Sequence, residues 1–143
     1  MIWFTYVQSN GNLYWGQVFE PKEKRVLLAK GYSGNGVGLN NYKYEHVVDV
    51  GPITIGEYDV GPAFRHKRLG PYCIRLTPRL MVGYPQRFRT DFMIHGDNKA
   101  CNKTASKGCI VVCLDARRYI SDSSKAYGPM ETRLMVVRDM WSA

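Results

Sequence analysis

Ile2-Trp3-Phe4-Thr5-Tyr6-Val7-Gln8 runs into Ser9-Asn10-Gly11-Asn12 and returns as Leu13-Tyr14-Trp15-Gly16-Gln17-Val18-Phe19. Asn-Gly between two apolar and aromatic runs is a strong hairpin signal, because both residues accept the positive φ that a tight two-residue turn requires. Leu13 to Phe19 therefore reads as the strand that pairs back onto residues 2–8. Glu20-Pro21-Lys22-Glu23 is a second turn, and Arg25 to Tyr32, rich in Val and Leu, is a third strand. The chain opens as a β-meander, and this sets the fold class.

Working outward, Ser33-Gly34-Asn35-Gly36-Val37-Gly38-Leu39-Asn40-Asn41 is a glycine-rich loop. A nucleotide-binding loop would need a helix directly after it. Tyr42 to Val48 carries no apolar stripe at helical period, so the loop is read as a set of turns using glycine's freedom. Gly51-Pro52 and Gly61-Pro62 bracket a short strand, Thr54 to Val60. Gly70-Pro71 precedes another, Tyr72 to Leu76, which Thr77-Pro78 is expected to end. Asp91 to Ile94 leads to His95-Gly96, then a polar loop over 97–107, then the β-branched run Gly108 to Cys113. Asp115 is the expected cap of one short helix, with Ala116, Tyr119 and Ile120 on one face. Residues 121–128 read as loop, and Arg133 to Arg138 as a closing strand. Short strands at turn-punctuated spacing, with one helix, predict a mainly β protein, a sandwich or barrel, as one domain over residues 1–143.

The bulk composition narrows the class. With 143 residues and 45% hydrophobic content, the chain can bury a real core. The balance of 20 basic against 12 acidic residues gives +8 at neutral pH. Such a charge favours solubility and attraction to polyanions such as nucleic acid or bacterial wall polymers. Its one dense cluster, Arg65-His66-Lys67-Arg68, lies between two Gly-Pro pairs and is expected in a loop. No stretch approaches the length of a membrane span, and Met1 to Tyr6 lacks the basic start and cleavage site of an export signal. Cys73, Cys101, Cys109 and Cys113 form no Cys-x-x-Cys pair, and their spacing to His95 is wrong for zinc, so no metal or other cofactor is expected.

The chemistry concentrates in Phe92-Met93-Ile94-His95-Gly96-Asp97 and Ala105-Ser106-Lys107-Gly108-Cys109-Ile110-Val111. An apolar strand ends at a histidine, and a small-residue turn delivers a cysteine. A thiol becomes a strong nucleophile when a base or aligned N–H groups draw off its proton. Gly108 lets a substrate carbonyl approach, and the local backbone could hold an oxyanion, with Ser106 as a further hydroxyl donor. A lone cysteine is otherwise a small buried hydrophobe, and a lone histidine more often structural.

The order of the two motifs, His-Gly and then Ser-x-Gly-Cys followed by aliphatics, resembles the catalytic domain of the YkuD-type L,D-transpeptidases. The accompanying pieces resemble one branch of it, the short effectors delivered by bacterial type VI secretion systems. They are the opening Trp/Tyr hairpin, Gly31-Tyr32-Ser33-Gly34-Asn35-Gly36 with Asn40-Asn41, Val50-Gly51-Pro52-Ile53 with Gly56-Glu57-Tyr58, and Ile74-Arg75-Leu76-Thr77-Pro78. The resemblance runs over most of residues 3–114.

The resemblance implies a mainly β domain acting on peptidoglycan stem peptides. Its enzymes attack the bond between the L-centre of meso-diaminopimelate and D-Ala and form a cysteine thioester. Water then gives L,D-carboxypeptidase activity, and an amine gives transpeptidation or exchange. Carried over, Cys109 is the nucleophile and His95 the base. A backbone carbonyl near Gly96 orients the imidazole, and Gly108 and Cys109 supply oxyanion donors. Many family members have a second histidine where this chain has Lys107, whose charge either lowers the thiol pKa or faces solvent. Arg75 is a candidate for a substrate carboxylate, or for a structural ion pair. Tyr32, Asn40 and Asp97 are candidates for substrate binding, or for turn formation. A Cys101–Cys113 disulfide could pin the active-site loop.

Three functions follow for comparison. An antibacterial effector would be secreted without a signal peptide and act in a target bacterium's periplasm, with a cognate immunity protein and the secretion apparatus as partners. A housekeeping wall-crosslinking enzyme would need an export signal or an anchor. A basic nucleic-acid module would need a recognition motif, and the sequence carries none. The expected partners therefore exclude specific nucleic acid and membrane insertion.

Overall fold

The hairpin forms at Asn10-Gly11, but as a longer turn than the pair alone predicts: residues 8–11 connect the strands, Gly11 N–H donates to the Val7 carbonyl at 2.9 Å, and of the pair only Gly11 takes positive φ. Strands β1 (Ile2–Val7) and β2 (Asn12–Trp15) pair antiparallel, with Phe4 beside Trp15 and Tyr6 beside Leu13. Gly11 has φ 79°, and a Cβ there would lie 1.9 Å from the Gly31 carbonyl oxygen, so both conformation and space demand glycine. The computed structural model describes residues 1–17, 24–81, 91–128 and 131–139. The turn expected at 20–23 lies outside them.

The expected third strand divides into β3 (Val26–Lys30) and β4 (Tyr32–Ser33). There follow β5 (Gly56–His66), β6 (Gly70–Met81), β7 (Met93–His95), β8 (Ile110–Val111), helix α1 (Leu114–Tyr127) and β9 (Thr132–Val137). Among the described residues the strands form one sheet in the order β3-β2-β1-β9-β5-β6-β7-β8-β4. Its two edges, β3 and β4, are separated in the chain by Gly31 alone, so the sheet curls until those edges meet. Gly31 N–H donates to the Gly11 carbonyl at 2.8 Å at this junction. The result is a mainly β, nearly closed barrel-like sheet with one helix.

Three local expectations are corrected. Gly61-Pro62 and Thr77-Pro78 do not end strands: β5 and β6 run through them, with register shifts between Val60 and Ala63 and between Glu57 and Tyr58. Irregularities of this kind accommodate a residue that has no N–H to donate. Arg65 and His66 belong to β5 rather than to a loop; the turn is Lys67 to Leu69, closed by Arg68 and Leu69 N–H groups donating to His66 Nδ1 at 3.0 and 3.1 Å. Helix α1 has Cys113, not Asp115, at its N-cap and continues through the expected loop to Tyr127. The continuation follows from a buried face of Ala116, Arg117, Ile120, Ser121 and Ser124. Tyr119 lies largely outside that face, 46% exposed, with its ring edge-on to Phe4.

Phe4, Tyr58, Ile74, Ile94, Ile110, Ala116, Ile120 and Leu134 belong to one core cluster on the side of the sheet that α1 covers. No described helix is long and apolar enough to cross a membrane.

Candidate active site

Parallel strands β7 and β8 bring the two motifs together. Ile94 lies beside Ile110 and His95 beside Val111, and the Val112 N–H continues the pairing to the His95 carbonyl at 3.1 Å. Ile94 and Ile110 face the core. Side chains alternate along a strand. His95, one residue after Ile94, and Cys109, one residue before Ile110, are therefore assigned to the opposite face, on adjacent strands. That face is covered too: His95 is 2% exposed and Tyr32, which pairs with Val111, 5%, while Cys109 is half-buried.

The imidazole is fixed by its own backbone. His95 Nδ1 lies 2.7 Å from the Gly96 carbonyl oxygen. A carbonyl only accepts, so Nδ1 carries the proton and Nε2 is left as the acceptor. Burial pushes the His95 pKa down; the Gly96 carbonyl and Asp97 oppose this, and the positive charges of Arg117 and His66 reinforce it. The ring is therefore held neutral, which is the state a general base needs.

The turn carrying Cys109 is built around the Ser106 hydroxyl. Ser106 Oγ accepts from Gly34 N–H at 2.9 Å and Gly108 N–H at 3.0 Å, and donates to the Cys109 carbonyl at 2.6 Å. Ser33 Oγ donates to the Gly108 carbonyl at 3.0 Å, and Asn35 Nδ2 to the Ser106 carbonyl at 2.8 Å. Thus Ser106 and the Gly108 N–H are engaged in shaping the turn. The glycine-rich loop is its cradle: Asn40 Oδ1 accepts from Ser33 N–H at 3.1 Å, which folds that loop.

Tyr32 and Asp97 form a second staple. Tyr32 donates to Asp97 Oδ1 at 2.8 Å and accepts from Ala105 N–H at 3.0 Å, tying both ends of the 97–105 loop to β4. Burial first, and the adjacent carboxylate as well, push the Tyr32 phenol up to about 12 against the Ala105 bond, so it remains a donor. Arg75 is exposed and pairs in register with Met93, which puts it on the His95 face of the sheet. Its guanidinium sits 5.4 Å from the Phe64 ring centroid. Lys107 is exposed, two residues from Cys109.

The remaining cysteines differ from Cys109. All four are thiols, so the Cys101–Cys113 bridge is not formed. Cys73 is fully buried, and burial pushes its thiol up, which makes it less reactive. Cys101 and Cys113 are exposed. Among the described residues no three His, Cys, Asp or Glu side chains converge as a metal site would require.

Sequence reasoning missed Arg117. It is 7% exposed and lies against Gly96. A helix pattern marks apolar positions as buried, and nothing in the run Ala116-Arg117-Arg118 distinguishes the arginine that points inward.

With this geometry in place, the comparisons with known proteins add one finding. The family model described as the Tlde1 domain matches residues 28–137, which spans the glycine-rich loop, both motifs and the closing strand. No curated protein matches the chain.

Proposed function

Because the chain belongs to the Tlde1 domain family, a family of type VI secretion effectors, we propose that it is a peptidoglycan-targeting cysteine enzyme of the L,D-transpeptidase type. Cys109 is the nucleophile and His95 the base. The observation that carries this reading is the imidazole: buried, held neutral, its Nδ1–H fixed on the Gly96 carbonyl, at the end of the strand beside the one Cys109 enters.

In the proposed reaction, the Cys109 thiol proton passes to His95 Nε2. The sulfur bonds to the carbonyl carbon between the L-centre of meso-diaminopimelate and D-Ala in a stem peptide. The tetrahedral intermediate then collapses. The C–N bond breaks, the D-Ala nitrogen takes the proton from the imidazolium, and a thioester remains on Cys109. Water releases a shortened stem, which is L,D-carboxypeptidation; an amine forms a new amide, which is transpeptidation or exchange. Gly108 and Cys109 remain the expected oxyanion donors, and the Gly108 N–H would have to leave Ser106 Oγ to serve. Arg75, on the same sheet face, is the candidate for a substrate carboxylate.

The place of action in this reading is the periplasm of a target bacterium, reached through the secretion apparatus, with an immunity protein protecting the producer. The basic surface serves attraction to an acidic wall. The test is to incubate the protein with purified muropeptides and weigh the products. Loss of one D-Ala from tetrapeptide stems, absent with Cys109→Ala, supports the reading. Stems unchanged by a folded wild-type protein would overturn it. Toxicity of an export-signal fusion, lost in the Cys109→Ala fusion, would support the proposed location. Equal toxicity of the two would count against it.

A further inference from the structure

Arg117 is an unusual residue to bury, and its surroundings show where it acts. It is the fourth residue of α1 and only 7% exposed. Its Nε donates to the Val112 carbonyl at 3.1 Å, and its Nη1 to the carbonyls of Pro71 at 2.8 Å and Tyr72 at 3.3 Å. Val112 follows β8, and Pro71 and Tyr72 open β6, so the fork ties together strands on either side of β7. The third nitrogen, Nη2, lies over Gly96. A Cβ at position 96 would be 2.7 Å from Nη2 and 3.2 Å from Cζ. Among the described residues its bonds go to carbonyls, with no carboxylate in ion-pair contact.

This explains the glycine that follows the histidine. Gly96 is not among the residues with positive φ, so its backbone conformation does not demand glycine. Space favours it: a side chain would press on the guanidinium, which would have to shift against the hydrogen bonds that hold it. The peptide under that guanidinium carries the carbonyl that accepts the His95 Nδ1 proton.

We propose that Arg117 is a positioning residue for His95: its guanidinium, seated on Gly96 and tied to the strands on both sides, fixes the carbonyl that orients the imidazole. The inference rests on reading His95 as the base. A carboxylate would do the same orienting work but would also stabilise a protonated ring. A cation behind the orienting carbonyl does the reverse and opposes protonation. The charged groups acting on the ring are Arg117 and His66, which disfavour its protonation, and Asp97, which favours it. Cys73 on β6 and Cys109 before β8 are the neighbouring thiols. Of these groups only Arg117 both touches the orienting peptide and carries a permanent charge.

The direct test is the nitrogen-15 spectrum of the His95 ring across pH in the intact protein, for wild type, Arg117→Met and Arg117→Lys, with muropeptide turnover beside it. Wild type should show a single Nδ1–H tautomer. Arg117→Met should mix the tautomers and move the ring's titration to higher pH, because a nearby positive charge is gone. Its kcat should fall about 10- to 100-fold with KM little changed, the cost of a base slightly out of place. Its acidic limb should move upward with the ring. Arg117→Lys keeps the charge without the fork, so it should keep the titration near wild type and still mix the tautomers. It also serves as the test if Arg117→Met does not fold. A folded Arg117→Met or Arg117→Lys with the wild-type tautomer and titration would overturn the proposal. The spectrum needs no substrate, so a wild-type protein without activity on stems would sink the functional reading and leave this test intact.

Discussion

Replacing Ser106 with alanine removes the one oxygen to which three backbone groups bond. Ser106 Oγ satisfies the Gly34 and Gly108 N–H groups and the Cys109 carbonyl, and its residue is fully buried. A buried polar group left unsatisfied costs about 1–3 kcal/mol. The three share one hub, so their costs do not simply add; a total of about 3–5 kcal/mol is expected. That is a large fraction of the ~5–15 kcal/mol that holds a typical domain together. For a chain of this size it corresponds to a fall in melting temperature of roughly 10–17 °C. The assay is thermal unfolding by circular dichroism, with Ser9→Ala, at an exposed position, as a control expected to stay within about 0.5 kcal/mol. The same variant should alkylate at Cys109 with altered rate, because the turn that places the thiol has lost its hub. If Ser106→Ala melts with wild type and reacts like it, the hydroxyl does not organise the turn and the reasoning fails.

Other outcomes follow from the same geometry. Tyr32→Phe loses the bonds to Asp97 and Ala105 and should cost about 1–2 kcal/mol, with faster hydrogen exchange across residues 97–105. Unchanged exchange there would show that the staple does not restrain the loop. Burial, reinforced by Arg117 and His66, holds His95 below its ordinary value of 6.5, so the unfolded chain binds a proton that the folded site resists. Its contribution to stability is therefore present above about pH 6.5 and declines as pH falls towards the folded pKa. Wild type should lose more melting temperature than His95→Gln on acidification, and parallel losses would contradict the assignment.

The opening hairpin was legible because Asn10-Gly11 marks a reversal between two apolar and aromatic runs; the length of the turn, over residues 8–11, was not. The two motifs stand in the sequence as an ordered pair, and the fold puts them on adjoining parallel strands, with His95 closing β7 and Cys109 just before β8. What could not be read is what depends on residues distant in the chain. Gly31 separates the two edges of the sheet, yet nothing near it in sequence shows that the edges meet there. Thr77-Pro78 looks like a stop locally, but pairing with β5 carries the strand past it. Ser121 to Ser124 looks like a loop until its buried face against β5 and β6 is known. Asn40 is engaged in folding the cradle, and Asp97 in pinning Tyr32. Arg117 acts across three segments, and a one-dimensional pattern has no signal for that.

A thioester on Cys109 is the intermediate on which the proposed reaction turns, and intact-protein mass spectrometry reads it directly. The protein is mixed with a tetrapeptide stem, quenched in acid within seconds, weighed, and digested to locate the adduct. The prediction is a mass gain equal to the stem minus the released D-Ala, whose amine carries away the thiol hydrogen, on the peptide holding Cys109, erased by hydroxylamine and absent from His95→Ala. Shortened stems formed with no adduct at any quench time, or an adduct carried by Cys73, Cys101 or Cys113 instead, would contradict it.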